Sequence, residues 1–192
     1  MIKNKYLLNA TQFLEEYIYN NSDIISGQTI GIVSDISKRI DKQVYWYKNG
    51  HDFQLEIKSS NNQWRKKHGY KTSDILIIYA GILGHAQGLE TCLNAANILK
   101  NNKKIHFLIY GTGPEEQGLK KIKNNYLLNN VRFFGHIQKA ELSKVLPNID
   151  IGIVPLKNLS IFKGAIPSKI FDILSHKKPL LLGINGEAKH IF

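Results

Sequence analysis

The strongest constraint on the fold is a regular alternation of short apolar stretches with longer amphipathic ones, which begins at Asp74. The apolar stretches are rich in β-branched and aromatic residues and predict strands at 74–80, 105–110, 131–134, 151–155 and 179–183. Stretches with helical spacing of apolar residues lie between them, at 89–99, after Pro114, at 140–146 and at 167–175. Because the connections are short, this pattern predicts an α/β fold with a parallel sheet and helices on both faces.

The first 58 residues follow a less regular pattern. Residues 9–20 predict a helix, 23–25 a short strand, 31–40 a short helix, and 44–47 a strand that ends at a turn signal, Asn49-Gly50. Residues 59–73 are polar and turn-rich, and we place the boundary between two structural units there. The sequence therefore predicts the remnant of one domain at 1–58 and a second domain at 59–192, which is expected to continue past Phe192.

Composition narrows the class of protein. The net charge is +11, but the basic residues are scattered in pairs such as Lys66-Lys67 and Lys120-Lys121 rather than gathered in one tract. A solvated surface is the favoured interpretation, peripheral attraction to an anionic membrane comes second, and nucleic-acid binding is not expected. No apolar run approaches the roughly 20 residues that span a bilayer. The single cysteine, Cys92, fits a reducing compartment, so a cytoplasmic location is expected, with peripheral contact to the inner face of the cell membrane as an option.

Two glycine-rich turns follow neighbouring predicted strands. Residues 81–88 contain Gly81, Gly84 and Gly88, and residues 111–114 contain Gly111 and Gly113. Glycine lets the backbone approach a ligand closely, and amide groups at the start of the following helix favour phosphate. Tight strand-to-helix turns need glycine as well, so binding and structural necessity explain these turns about equally well. Neither turn is a Walker A loop or a dinucleotide fingerprint.

A third motif opens the helix predicted at Pro167. Lys169 then falls in the first turn, where the helix dipole disfavours a cation. A lysine at this place suggests that an anion such as a diphosphate binds to both the lysine and the helix N-terminus. Asp172 lies on the same helix face as Lys169, and its carboxylate could accept hydrogen bonds from ribose hydroxyls. Taken by themselves, these two residues are better explained as an exposed ion pair of little energetic value.

The histidines do not indicate a metal site. His85, His136 and His176 do not form the cluster of closely spaced ligands that is typical of a zinc site, so no metal is expected. His176 ends a predicted helix and is interpreted as structural. Cys92 lies on the apolar stripe of its helix and is predicted to be part of the core.

Together, the motifs resemble a known family in their order and spacing. They are Tyr79-Ala80-Gly81-Ile82-Leu83-Gly84 with Gln87-Gly88-Leu89-Glu90, Gly111-Thr112-Gly113-Pro114, Val131-Arg132-Phe133-Phe134-Gly135, Asp150 to Leu156, Pro167-Ser168-Lys169-Ile170-Phe171-Asp172, and Lys178-Pro179-Leu180-Leu181. The stretch from Tyr79 to Leu182 resembles the donor-binding domain of GT-B glycosyltransferases in the large retaining family that builds bacterial polysaccharides. Within it, the stretch is most similar to the colanic-acid and O-antigen amino-sugar transferases. Upstream, 14–19 and 49–52 resemble the end of the family's acceptor domain and its linker.

The resemblance implies a Rossmann-like sheet, the C-terminal half of a GT-B fold, and a set of donor-binding residues. These are Gly81, Gly84, Gly111, Gly113, Phe134, His136, Ile137, Gly164, Ser168, Lys169 and Asp172. Asp172 stands where the family usually has the glutamate that binds ribose, and Gly164 stands where many members have a second glutamate. The Arg and Lys that many relatives carry after the first glycine turn correspond to Ile82 and Gln87. Lys169 is therefore the candidate for stabilising the diphosphate in catalysis.

By the same resemblance, the whole enzyme would transfer a sugar from a nucleotide diphosphate, with UDP expected, to a glycan or lipid-linked acceptor. Retention of anomeric configuration and no cofactor or required metal are expected. The resemblance implies that most of the acceptor domain lies outside this sequence, so a separately encoded acceptor domain is a candidate partner. A non-catalytic nucleotide-binding fragment, one half of a split transferase and, less favoured, a UDP-sugar 2-epimerase remain as alternatives.

Overall fold

The computed structural model describes residues 4–50 and 62–191, which form two compact units. Unit 1 comprises Met1–Asn49, Lys163–Ile166 and Gly186–Phe192, and unit 2 comprises Gly50–Phe162 and Pro167–Asn185. The domain boundary predicted between residues 58 and 59 lies outside the described residues and stays a prediction. Each unit is described separately below.

The described part of unit 1 has five elements, four within residues 4–50 and one within residues 186–191. They are α1 (Lys5–Asn20), β1 (Ile25–Gly27), α2 (Ile30–Ser37), β2 (Val44–Trp46) and α8 (Glu187–Ile191). Helix α1 begins after Asn4, whose side chain accepts hydrogen bonds from two backbone amides of the first turn. The short strand predicted at 23–25 is wrong by two residues, because it is the segment starting at Ile25 that pairs with β2. Helix α2 ends at Ser37, three residues before the predicted end.

The core of unit 1 is small. Strands β1 and β2 pair in parallel, and Ile25, Ile36 and Ile40 form a buried cluster with Tyr19 and Val44 packed against it. Helix α1 has no buried residue. Its apolar side chains at 6, 7, 8, 13, 14, 17 and 18 are all exposed.

Unit 2 alternates strands and helices. Its elements are α3 (Asn62–Lys67), β3 (Ile75–Ala80), α4 (Glu90–Ile98), β4 (Ile105–Tyr110), α5 (Glu116–Asn125), β5 (Val131–Gly135), α6 (Lys139–Val145), β6 (Ile151–Pro155), α7 (Lys169–Ser175) and β7 (Leu180–Gly183). Within the described residues, five strands form one fully parallel sheet in the order β5-β4-β3-β6-β7. The predicted α/β fold with a parallel sheet is confirmed.

The strand order of unit 2 creates a switch point between β3 and β6. Strand β4 pairs with one edge of β3, and β5 pairs with the far edge of β4. The next strand, β6, pairs with the other edge of β3. In such sheets ligands bind beyond the carboxyl ends of the strands at the place where the order reverses. The 81–88 turn follows β3, and the backbone amide of Lys157, just after β6, donates to the carbonyl of Ala86 at 2.8 Å.

The main core of unit 2 lies between β3, β4 and the helices α4 and α5. Tyr79, Leu83, Leu93 and Leu119 are almost fully buried there. Cys92 belongs to the same cluster, as its place on the apolar stripe of the helix predicts, and burial raises the pKa of its thiol to about 12.

Helix α3 is an element that the sequence does not predict, since it lies in the stretch interpreted as a polar boundary. Its central residue, Arg65, is buried although it is charged. The guanidinium pairs with the Asp150 carboxylate at 2.7 Å and donates to the backbone carbonyls of Asn148 and Asp74, both at 2.9 Å. Polar contacts attach this short helix to the segments just before β3 and β6. Such an attachment needs no apolar stripe, so the sequence of α3 gives no helical signal.

Candidate functional site

The first glycine turn continues the pairing of β3 with β4. The amide of Gly81 donates to the carbonyl of Tyr110 at 3.0 Å, and the amide of Leu83 donates to the carbonyl of Thr112 at 2.9 Å. The two glycine turns therefore lie side by side at the carboxyl edge of the sheet, where the sequence predicts the donor site.

Close packing between the two turns explains two of the five glycines predicted to bind the donor. A Cβ on Gly111 would lie 1.8 Å from the carbonyl oxygen of Gly81, and a Cβ on Gly113 would lie 2.5 Å from that of Leu83. Both residues also have positive φ angles, +129° and +158°. Structure alone requires glycine at 111 and 113.

Gly84 differs from these two residues. Its backbone is extended, with φ −109° and ψ 162°, and a Cβ there would meet the Ile82 side chain at an ordinary 3.5 Å. Packing within the described protein does not require glycine at this position. The predicted donor contact at Gly84 stays a prediction.

Lys169 is brought to the first glycine turn. It is the first residue of α7, two residues later than the predicted helix start at Pro167. A Cβ on Gly81 would lie 3.1 Å from both Cε and Nζ of Lys169, so the lysine side chain occupies the space next to Gly81. The amine donates to the Gln87 side-chain oxygen at 2.6 Å and to the Tyr79 hydroxyl at 3.1 Å.

Burial of the Lys169 amine changes its acidity. Loss of hydration disfavours the charged form and lowers the pKa of Lys169 from 10.5 to about 8. The amine also lies 4.6 Å from the centre of the Tyr79 ring, a cation–π distance that favours the charged form. An ammonium group buried without full solvation is well suited to bind an anion, because the anion would replace the lost hydration.

The contacts of Tyr79 and Gln87 with Lys169 were not predicted. The sequence analysis includes Tyr79 and Gln87 in the motifs that carry the family resemblance, but it assigns neither of them a contact with Lys169. A tyrosine near the end of a fully buried strand needs a hydrogen-bond partner for its hydroxyl, and that was the available signal.

The other residues of the third motif lie differently from expectation. Ser168 is exposed, and its side chain makes no capping hydrogen bond to α7. Asp172 lies on α7 as predicted, and its carboxylate is 3.8 Å from the amine of Lys139 on α6, whereas Lys169 bonds to β3 and the first glycine turn. The exposed ion pair between Lys169 and Asp172 that the sequence suggests is thus not formed by the Lys169 amine, which donates to Tyr79 and Gln87 instead.

The predicted base-pocket residues begin in an aromatic cluster. Phe134 stacks on Tyr110 with ring centres 4.5 Å apart. The guanidinium of Arg132 lies 4.6 Å from the centre of the Phe134 ring. Gly135 then turns the chain with φ +76°, after which His136 is exposed and Ile137 is half-buried. The predicted residues Phe134, His136 and Ile137 lie at or just after the carboxyl end of β5.

Gly164, the remaining predicted residue, belongs to unit 1. A Cβ on it would meet the backbone of Gly31 and Ile32 at 3.5 Å. The loop 163–166 is thus assigned to a different unit from Ser168, Lys169 and Asp172, and its predicted contact with a donor sugar stays a prediction.

The histidines take part in local contacts. Nδ1 of His85, in the first glycine turn, lies 2.5 Å from the carboxylate of Glu115, and the buried His176 contacts the carbonyl of Asp172 at the end of α7. In the part of the chain that the structure describes, no three His, Cys, Asp or Glu side chains gather in a way that could hold a metal ion.

A parallel sheet with this strand order and two glycine turns at its carboxyl edge forms a Rossmann-like domain of the type found in GT-B glycosyltransferases. The half-buried Lys169 lies beside the first of these turns. Sequence comparison gives the family. Residues 60–192 match the family described as Glycosyl transferases group 1, and the chain belongs to that family.

Two curated relatives come from bacteria. WbjE of Pseudomonas aeruginosa, named as a glycosyltransferase, is 28% identical over 119 residues, which cover 62% of this chain and 28% of that protein. WcaI of Escherichia coli K12, named as a colanic acid biosynthesis glycosyl transferase, is 32% identical over 100 residues, which cover 52% of this chain and 24% of that protein. The matches thus span only about a quarter of each relative's length.

Solved structures share the fold at low sequence identity. HepE of Anabaena, solved in complex with UDP-glucose, superposes with a TM-score of 0.75 at 14% identity, over 89% of this chain and 47% of that one. WaaG, a glycosyltransferase involved in lipopolysaccharide biosynthesis, gives 0.70 at 16% identity, over 86% and 46%. This chain therefore corresponds to less than half of either structure. Among the described helices, none has the length and apolar character needed to cross a membrane.

Proposed function

We propose that this chain is the donor-binding half of a glycosyltransferase that takes a sugar from a nucleotide diphosphate, UDP-linked, in bacterial surface polysaccharide synthesis. The acceptor is a hydroxyl on a glycan or lipid-linked saccharide, the anomeric configuration is retained, and no metal is required. The observation that carries this proposal is the Lys169 amine beside Gly81, at the switch point of the parallel sheet. Membership of the group 1 family and the UDP-glucose bound to HepE support it.

The chemistry follows from where charge develops. As the bond between the sugar and the diphosphate breaks, negative charge accumulates on the leaving phosphate. A preorganised cation and backbone amides at that position lower the barrier, since they need no reorganisation during the reaction. Lys169 is the residue proposed for this role, and Asp172 and the 135–137 turn are proposed to bind the ribose and the base.

The acceptor half of the enzyme is proposed to come from polypeptide outside this sequence. The chain corresponds to 46% or 47% of the two solved neighbours described above, and unit 1 has only a two-stranded sheet in its described part. We further propose a cytoplasmic location with peripheral contact to the inner face of the cell membrane, because the net charge of +11 favours anionic surfaces. A partner-free chain is expected to bind nucleotide and to show little or no transfer.

Calorimetric titration of the purified chain with UDP tests the proposal, with GDP and ADP as comparisons. Lys169→Ala is expected to weaken UDP binding about ten- to a hundredfold, because a hydrogen bond to a charged group is lost. Lys120→Ala is the matched control, since Lys120 pairs with Glu116 at 2.7 Å on α5 and is expected to leave UDP binding unchanged. A folded wild-type chain that binds none of the three nucleotides would contradict the proposal.

A further inference from the structure

The Lys169 amine is held by two neutral groups. Its hydrogen bonds to the Gln87 side-chain oxygen and the Tyr79 hydroxyl account for two of its three protons within the described part of the chain. Neither partner cancels the positive charge. The amine therefore has a fixed position, and neither partner neutralises its charged form, which can bind an anion.

Tyr79 connects this amine to the glycine turn. Its hydroxyl proton is donated to the carbonyl of Ile82 at 2.7 Å, which leaves the hydroxyl oxygen to accept from Lys169. The Tyr79 ring is 1% exposed, so the surrounding core fixes the position of the hydroxyl. A rigid strand thus sets both the conformation of the turn and the place of the amine.

We propose that Tyr79 and Gln87 are positioning residues, which hold the Lys169 amine against Gly81 so that it meets the diphosphate of an incoming nucleotide. This inference rests on the proposed function, because it assigns the anion that the amine meets. Tyr79 and Gln87 act only through Lys169 and have no contact of their own with the diphosphate.

The chemical nature of residue 87 matters for this arrangement. A carboxylate there would pair with the ammonium and reduce its attraction for phosphate, and a second cation would repel it at this distance. The glutamine amide orients the amine without either effect. A single half-buried lysine with a neutral support can therefore meet the diphosphate without a second cation at position 87.

A double-mutant cycle tests the inference by calorimetric titration with UDP. Gln87→Leu is expected to weaken UDP binding about tenfold and Tyr79→Phe about threefold in the wild-type background, as one supporting hydrogen bond is lost in each case. In the Lys169→Ala background, neither substitution is expected to change UDP affinity further, because the group that they position is gone. Tyr126→Phe is the matched hydroxyl control and is expected to leave UDP affinity unchanged, since Tyr126 is an exposed residue at the end of α5.

The outcomes separate the inference from the proposed function. Equal losses with and without Lys169 would show a general structural role and overturn the inference, as would unchanged UDP affinity for both variants in the wild-type background. Both results leave the proposed function intact, provided that the wild-type chain binds UDP and Lys169→Ala weakens it. A folded wild-type chain that binds no UDP overturns both. Circular dichroism confirms folding, and Tyr79→Phe serves alone if Gln87→Leu unfolds the chain.

Discussion

The two units bury their apolar residues to very different degrees. In unit 2 the strand β3 has four consecutive buried residues, 76–79, because β4 and β6 flank it and side chains cover both faces. In unit 1 the described strands are three residues long, and α1 has no buried residue. Unit 2 therefore contains most of the hydrophobic stabilisation, and it also contains the candidate site.

Polar contacts support unit 1 instead. The carboxylate of Glu187 accepts hydrogen bonds from the amides of Ile30 and Gly31 at the start of α2, both at 2.9 Å. Arg39 pairs with Glu15 of α1 at 2.5 Å and with Asp35 at 3.0 Å. Short parallel pairs with little core are marginal in water, so we expect unit 1 to open more easily than unit 2.

The largest difference between the two units is expected in the free energy of unfolding that is lost when an apolar side chain is truncated. Leu93→Ala removes a fully buried side chain from the core of unit 2 and is expected to lower the free energy of unfolding by about 2–5 kcal/mol. Leu14→Ala, on the exposed face of α1, is expected to change it by less than about 0.5 kcal/mol. Urea denaturation followed by circular dichroism measures both. Similar losses of unfolding free energy for the two variants would contradict the claim that unit 2 contains most of the hydrophobic stabilisation.

Raising the pH should weaken UDP binding through a residue of unit 2. The ammonium form of Lys169 binds the anion, and its pKa is lowered to about 8, so affinity should be retained below pH 8 and fall as the pH rises through it. Between pH 7 and pH 9 the loss is expected to be about tenfold, as the charged fraction drops by that factor. Calorimetry at several pH values gives the profile. Lys169→Ala should flatten it, and a steep profile in that variant would point to another group.

Removing a polar contact in unit 1 should have a local effect. Glu187→Ala leaves the amides of Ile30 and Gly31 without their carboxylate and is expected to cost about 1 kcal/mol at the start of α2. Hydrogen exchange should accelerate in α2 while the amides of β3 keep their protection. Glu90→Ala, in the first turn of α4, is the matched control in unit 2. Faster exchange across both units would show that they unfold together.

The smallest effect on stability is expected from removal of the ion pair between Glu15 on α1 and Arg39. A hydrogen bond from the Arg39 guanidinium lowers the pKa of Glu15, so its stabilisation is present above about pH 4.5 and is lost as the pH falls through the lowered pKa. Solvent screening limits the contribution, and Glu15→Gln should cost less than about 1 kcal/mol at neutral pH. Thermal unfolding with Glu16→Gln as control checks it. A loss as large as that of Leu93→Ala would mean that α1 is more tightly integrated than its exposure indicates.

Local patterns in the sequence were sufficient for most of unit 2. The strands at 105–110 and 151–155 have the predicted bounds, and Cys92 lies in the core. In a parallel sheet covered on both faces, each strand is a continuous apolar run and each helix has one apolar stripe. Those signals are contained within about ten residues each, so they can be recognised without knowing the partner.

The candidate site was predicted only as a neighbourhood. Lys169 and the glycine turns were identified, and the resemblance to a family gave them a role that residue types alone did not. The structure adds that Gly111 and Gly113 are needed for packing of one turn on the other. It also places Gly164 in a different unit from Lys169.

Sequence by itself determined the α/β class, the succession of strands in unit 2 and the position of Lys169 at the start of a helix. Tertiary structure alone decided what Lys169 contacts and how α3 is attached. Lys169 is 90 residues from Tyr79 and 82 from Gln87, and Arg65 is 85 from Asp150. Contacts across such separations depend on the order in which strands pack side by side. The apolar pattern of one segment does not reveal that order, because a strand would have the same sequence pattern whichever strand it paired with.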